Sequence, residues 1–120
     1  MTDENTSKKK DVVDVYWSFR SPYSYLVTPD LLRLREHYDV AVAMRIVYPI
    51  AIRDQSLVFA QSNPNKSRYI VRDARRRAEF LGMPFAGPRP DPIVQEQVKM
   101  EVAEEQPYIN SISALGVEAQ

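Results

Sequence analysis

The chain has 120 residues, 16 Lys and Arg against 16 Asp and Glu, one His and no Cys. The length suits one small domain with a real core, and the absence of Cys excludes a disulfide framework, a thiolate nucleophile and a Cys-x-x-Cys redox centre. A single His argues against structural zinc, and a zero formal charge exerts no global pull toward nucleic acid or an anionic membrane, so neither is expected as a partner.

Residues 1–10, MTDENTSKKK, hold nothing to bury and are expected to form a disordered tail. No apolar segment follows the lysines, so the tail does not read as a secretory signal, and no run reaches the length of a membrane span. A soluble cytoplasmic protein is the expectation. Asp11–Ser18, rich in β-branched and aromatic residues, predicts a strand. Apolar residues on both of its faces point to an interior one. Ser21 is a good N-cap and Pro22 suits the first helical position. The helix they open is expected to run to about His37 and to kink, rather than stop, at Pro29. Val40–Val47 predicts a second strand, parallel to the first across a βαβ crossover.

Beyond Pro49 the pattern turns helical. Ala51–Gln61 is ambiguous, with room for a short helix, and Asn63-Pro64-Asn65 is a turn or capping signal. Lys66–Leu81 predicts a helix closed by Gly82. Phe85–Pro92 is too rich in proline to be other than loop. Val94, Val98 and Val102 predict a helix over Ile93–Gln106, and Pro107 opens a last one ending at Gly116. The order is therefore an α/β one: tail 1–10, a βαβ half over 11–48, and a helical part over 49–120. Two parallel strands make a poor sheet, because both of their faces need cover. The pattern looks like the first part of something larger.

The segment that carries chemistry is Phe19–Leu26, FRSPYSYL, at the junction of strand and helix. A helix N-terminus has unpaired N–H groups and about half a positive charge, which favour an anion such as a thiolate. Arg20 adds positive potential. Ser21-Pro22-Tyr23-Ser24 in this setting resembles a thioredoxin-fold active site with serines in place of both cysteines. The stretch VYWSFRSPYSYL is similar to the kappa-class glutathione transferases and the bacterial 2-hydroxychromene-2-carboxylate isomerases. Asn63-Pro64, Lys66, Tyr69 and Asp73, Leu81–Phe85 and Pro88–Gln95 extend the similarity over roughly residues 12–117.

That resemblance implies a thioredoxin-like βαβ half followed by a helical insertion. The closing ββα half, with its cis-proline loop, is absent, as in a truncated chain or a fragment. It implies glutathione as the cofactor, with Ser21 stabilising its thiolate. Glutathione contacts carry over to Ser21, Pro22, Asn63 and Lys66, and Lys66 would pair with a glutathione carboxylate. Ser24 is expected to be structural. The substrate would be an aromatic or α,β-unsaturated acid, to be isomerised or conjugated, and the protein a homodimer.

The energetics are within reach. A free thiol has a pKa of about 8.5, and lowering it by roughly two units requires about 3 kcal/mol. One charge-assisted hydrogen bond supplies about 1.5–3 kcal/mol and the helix dipole about 0.3–1. Ser21 would act as a hydrogen-bond donor, not as a nucleophile.

Each feature also has a plain structural reading. Ser21 is a common N-cap, and the Tyr23 and Tyr25 hydroxyls are rivals to it that read better as packing. Trp17, Phe19, Tyr48 and Phe59 line either a pocket or a core. Arg68, Arg72, Arg75 and Arg76 form a basic stripe that could receive an acid substrate or nucleic acid but reads better as a solvated face, and His37 reads as a helix-end residue. The alternative to an enzyme is a non-catalytic half-domain that associates through the exposed edge of the second strand.

Overall fold

The computed structural model describes residues 9–54, 64–95 and 102–119. The tail expectation over 1–8, Asn63, Phe59 and the rest of 55–63 lie outside the described residues, as do 96–101. Strands β1 (Asp11–Trp17) and β2 (Val40–Ile46) pair in parallel, with Asp11 opposite Val40 and Trp17 opposite Ile46. Val47 N–H extends the ladder to the Trp17 carbonyl at 2.9 Å. Helix α1 (Pro22–His37) makes the crossover and runs through Pro29.

Among the described residues the sheet has these two strands, so each is an edge. This corrects the expectation of an interior β1. Val12 and Val13 are exposed and Tyr16 is 72% exposed, because no described element lies beyond them. Strand β2 is half-buried except at Arg45, whose Nε donates to Asp14 Oδ1 on β1 at 3.2 Å.

Helix α2 (Ile50–Arg53) is a single turn opened by Pro49. Helix α3 (Pro64–Leu81) begins two residues before the predicted start, with Pro64 at its first position. Its end is a two-bond cap: Gly82 N–H donates to the Glu79 carbonyl at 3.1 Å, and Met83 N–H to the Ala78 carbonyl at 2.9 Å. The cap needs its first donor residue in the left-handed region, and Gly82 supplies it at φ 68°. Residues 83–92 have no regular structure, as their prolines predict, and the Arg89–Pro90 peptide is cis.

The helix predicted over Ile93–Gln106 does not form at either described end. Gln95 instead bridges Val102 in antiparallel fashion, and Ala103 N–H donates to the Val94 carbonyl at 3.0 Å. The cause lies in Gln106, which is buried. Its amide nitrogen donates to the carbonyls of Val94 and Ala103, at 2.9 and 2.7 Å, and its oxygen accepts from Val94 N–H at 2.9 Å. These bonds tie Val94 and Ala103 together across the bridge; of the groups involved, the Val94 carbonyl is the one a helix over 93–106 would have paired internally. β-branched valines at a spacing of four fit such pairing as well as a helix face.

Helix α4 (Pro107–Glu118) starts at the predicted proline but continues past Gly116. Gly116 therefore does not terminate the helix. A Cβ there would stand 2.7 Å from Phe19 Cε2 and 3.3 Å from Ile46 Cγ1, so the glycine permits α4 to lie against the sheet.

Two small apolar clusters hold these elements. Leu26 of α1 packs with Ala74 and Ala78 of α3, and Leu81, Met83 and Phe85 lie against them. Ala51, Ile93 and Ile109 form the second, flanked by Phe19, Ile52 and Val102. Within the described residues, no helix is long and apolar enough to cross a membrane.

Candidate functional site

The junction between β1 and α1 is fixed by one serine. Ser24 Oγ accepts from Ser18 N–H at 3.2 Å, and the Ser24 carbonyl accepts from the Trp17 indole at 2.8 Å and from the Thr28 hydroxyl at 2.9 Å. Strand end and helix start are thus tied through Ser24, in line with the structural role expected of it. Trp17 and Phe19 pack edge to face, with centroids 4.6 Å apart and planes at 85°.

Ser21 is the N-cap of α1. Its Oγ accepts from Ser24 N–H at 3.3 Å, and its carbonyl accepts from Tyr25 N–H at 3.4 Å. A serine hydroxyl accepts through lone pairs and donates through its proton. Among the described residues that proton has no acceptor within the protein. The cap therefore leaves the hydroxyl able to donate outward.

What lies outward is a cleft of about 670 Å³, within the range of small-molecule sites. Ser21 and Pro22 form its edge. Phe19 from one apolar cluster and Phe85 from the other line it, together with Tyr25, and Val71 and Arg75 of α3. The proline-rich loop is its far wall. Two hydrogen bonds hold that loop in place: Tyr25 hydroxyl to the Pro84 carbonyl, and Arg20 guanidinium to Asp91 Oδ2 at 3.1 Å. Arg20 also donates to Gln95 Oε1 at 3.0 Å. The sequence marked this loop only as irregular; the structure makes it one side of the cleft.

The charges divide unevenly. Arg20 was expected to add positive potential beside Ser21, but its guanidinium is engaged by Asp91 and Gln95. Asp91 is engaged in turn, since its Oδ1 also accepts from Ile93 N–H at 2.9 Å. Arg75, read in the sequence as part of a solvated stripe, lines the cleft with no ion pair among the described residues.

The rival hydroxyls are accounted for. Tyr23 donates to Asp73 Oδ2 of α3 at 2.7 Å and does not line the cleft. That hydrogen bond to a carboxylate, with burial and the nearby negative charge, pushes its pKa up to about 12. Tyr25 is committed to the loop. Lys66 sits in the first turn of α3, exposed, and is not among the residues lining the cleft. About 13 Å of helix rise separates it from Arg75. Asn63 lies outside the described residues. Of the site residues expected from the sequence, the structure brings Ser21 and Pro22 to the cleft. It adds Phe19, Tyr25, Arg75 and Phe85. Only Phe19 and Tyr25 lay close enough to the motif to be singled out with it, whereas Arg75 and Phe85 arrive through tertiary packing.

No group of three or more His, Asp or Glu side chains among the described residues is placed to hold a metal ion. A profile of the DSBA-like thioredoxin domain matches residues 12–106. Neither the curated proteins nor the solved structures give a significant match to the chain.

Proposed function

The chain belongs to the DSBA-like thioredoxin domain family, and on that premise we propose that it acts as a glutathione-dependent isomerase or transferase on an aromatic or α,β-unsaturated acid. Thiol–disulfide exchange through its own side chains is excluded, since the chain has no Cys and positions 21 and 24 are serines. The observation that carries the proposal is the Ser21 hydroxyl. It caps α1 through a lone pair and keeps its proton for a ligand in the adjoining cleft.

The residues present fit a bound thiol. The cleft holds a drug-sized molecule, its walls are largely apolar, and Ser21 offers one donor beside a helix N-terminus. When bound, glutathione supplies a soft sulfur nucleophile that a Cys-free protein lacks. Ser21 donates to the sulfur and favours its ionised form by roughly 1.5–3 kcal/mol. Phe19 and Phe85 restrict water around that hydrogen bond, which strengthens it. Ser24 keeps Ser21 at the helix start by tying strand to helix. Pro22 presets the first turn. Lys66 and Asn63 remain proposed partners for the peptide ends of glutathione. A reducing cytoplasm, where glutathione is abundant, is the compartment such chemistry calls for.

Calorimetric titration of glutathione into the chain, with Ser21→Ala alongside, tests the reading. Binding is expected to weaken in the variant by roughly tenfold, the worth of one charge-assisted hydrogen bond. Equal affinity in both proteins would overturn it.

A second reading is association through the sheet, and the exposed edge supports it. Among the described residues each strand pairs on one side only, so the outer edge of β2 expected from the sequence, and that of β1 as well, is a template for another strand, and Val12 and Tyr16 put exposed apolar surface on β1. Sedimentation as a monomer at all accessible concentrations would dismiss it.

A further inference from the structure

Among the described residues the cleft beside Ser21 is lined by two guanidinium groups and one carboxylate. Arg20 and Asp91 neutralise each other across the rim at 3.1 Å. Asp91 spends its second oxygen on Ile93 N–H and so offers little repulsion to an incoming anion. Arg75 is left over. It sits one turn after Val71 on the same face of α3, and both line the cleft. The preceding position on that helix, Ala74, is buried against α1, which fixes the rotation of α3 and keeps Arg75 turned to the cleft.

We propose that Arg75 is a specificity-determining residue that receives the carboxylate of an acid whose flat apolar body lies between Phe19 and Phe85. The inference rests on the reading of this cleft as a substrate site, but not on the thiol chemistry assigned to Ser21. A guanidinium presents two parallel N–H donors that match a carboxylate, which a lysine does not. The two aromatic rings, with Val71 and Pro84, supply an apolar channel leading to it. A carboxylate anchored at Arg75 leaves the rest of the acid pointing toward Ser21, where the proposed chemistry takes place. In this arrangement the charge selects acids over neutral analogues, and the ring walls select flat molecules over branched ones.

The test uses the full chain and two probes that differ only in charge: 2-naphthoate and its neutral amide, 2-naphthamide. Arg75→Gln, Arg75→Lys and Arg72→Gln are compared with the parent by calorimetry. Arg72 lies on the same basic helix outside the cleft lining, so its variant controls for net charge. The parent is expected to prefer the acid over the amide by roughly two- to fivefold, the upper part of the range for a solvated ion pair. Arg75→Gln should abolish that preference while leaving amide affinity in place. Arg75→Lys should restore it only in part, and Arg72→Gln should retain it. Equal affinity for acid and amide in the parent, equal loss in both glutamine variants, or no saturable binding of either probe would overturn the proposal. Glutathione titrated into the same samples separates the two readings. Ser21-dependent glutathione binding without acid preference defeats only the role of Arg75. Acid preference lost in Arg75→Gln, without glutathione binding, defeats only the thiol reading.

Discussion

Gly116→Ala sets helix propensity against packing at a position that lies against Phe19, one of the residues lining the cleft. Within a helix, alanine is favoured over glycine by about 0.8–1.0 kcal/mol, and Gly116 lies inside α4. On propensity alone the substitution should stabilise. The added methyl, however, would lie 2.7 and 2.8 Å from two atoms of the Phe19 ring and 3.3 Å from Ile46. An ordinary carbon contact needs about 3.5–4.0 Å, so the ring must retreat by roughly 1 Å. Its retreat is opposed by Trp17, packed edge-on at 4.6 Å, and by the second apolar cluster. Overpacking of this kind costs about 1–3 kcal/mol. Set against the propensity gain, the net expectation is a loss of up to about 2 kcal/mol, equivalent to a fall in Tm of several degrees for a domain of this size. The single tryptophan of the chain is Trp17, so urea unfolding followed by its fluorescence reports on the affected contact directly. Phe19→Leu in the Gly116→Ala background should recover part of the loss, because a smaller side chain frees the space. A rise in the unfolding midpoint of Gly116→Ala would refute the claim that this glycine is there for close approach.

Gln106→Ala should cost about 2–4 kcal/mol, since it strips the partners of the Val94 N–H and the Ala103 carbonyl at a buried position and leaves the Val94 carbonyl to Ala103 N–H alone; urea unfolding measures it, and a change below about 0.5 kcal/mol would be surface-like and contrary to the assignment. Ser113→Ala should stabilise by about 1 kcal/mol: the Ser113 hydroxyl is buried with no hydrogen-bond partner among the described residues, and alanine removes it and suits the helix better. Tyr23 gives a pH dependence. Its folded pKa, near 12, exceeds its ordinary value of 10.0, so its contribution is complete below pH 10 and is lost as pH rises toward 12. Because Tyr23 is 41% exposed, solvent screening holds that contribution below about 1 kcal/mol. Denaturation across this window should therefore fall more steeply in the parent than in Tyr23→Phe, and parallel curves would contradict the bond to Asp73.

What the sequence could reveal follows from how far each feature reaches along the chain. The parallel pair, α1 and its cap were legible because each is written in adjacent residues: alternating β-branched side chains, then Ser21 and Pro22 at a helix start. The end of α3 was legible for the same reason, since Gly82 supplies a backbone geometry other residues resist. The failures share the opposite property. The valine spacing over 94–102 is a true local pattern, but Gln106, a dozen residues after Val94, bonds both backbone groups of Val94 and holds it in the bridged arrangement instead. Gly116 looked like a stop because glycine is a poor helix former, while its actual reason, the ring of Phe19, lies almost a hundred residues away. The candidate site divides along the same line. Ser21 is a local signal and survives into the structure at the edge of the cleft. Arg75 shows in the sequence only as one arginine of a basic stripe, and Asp91 as part of a proline-rich loop; their parts are set by pairing, since Arg20 takes Asp91 while Arg75 has no ion pair among the described residues. The chemistry of this cleft is therefore a difference between charges supplied by three separate segments. No window of the sequence short enough to show a motif contains that difference.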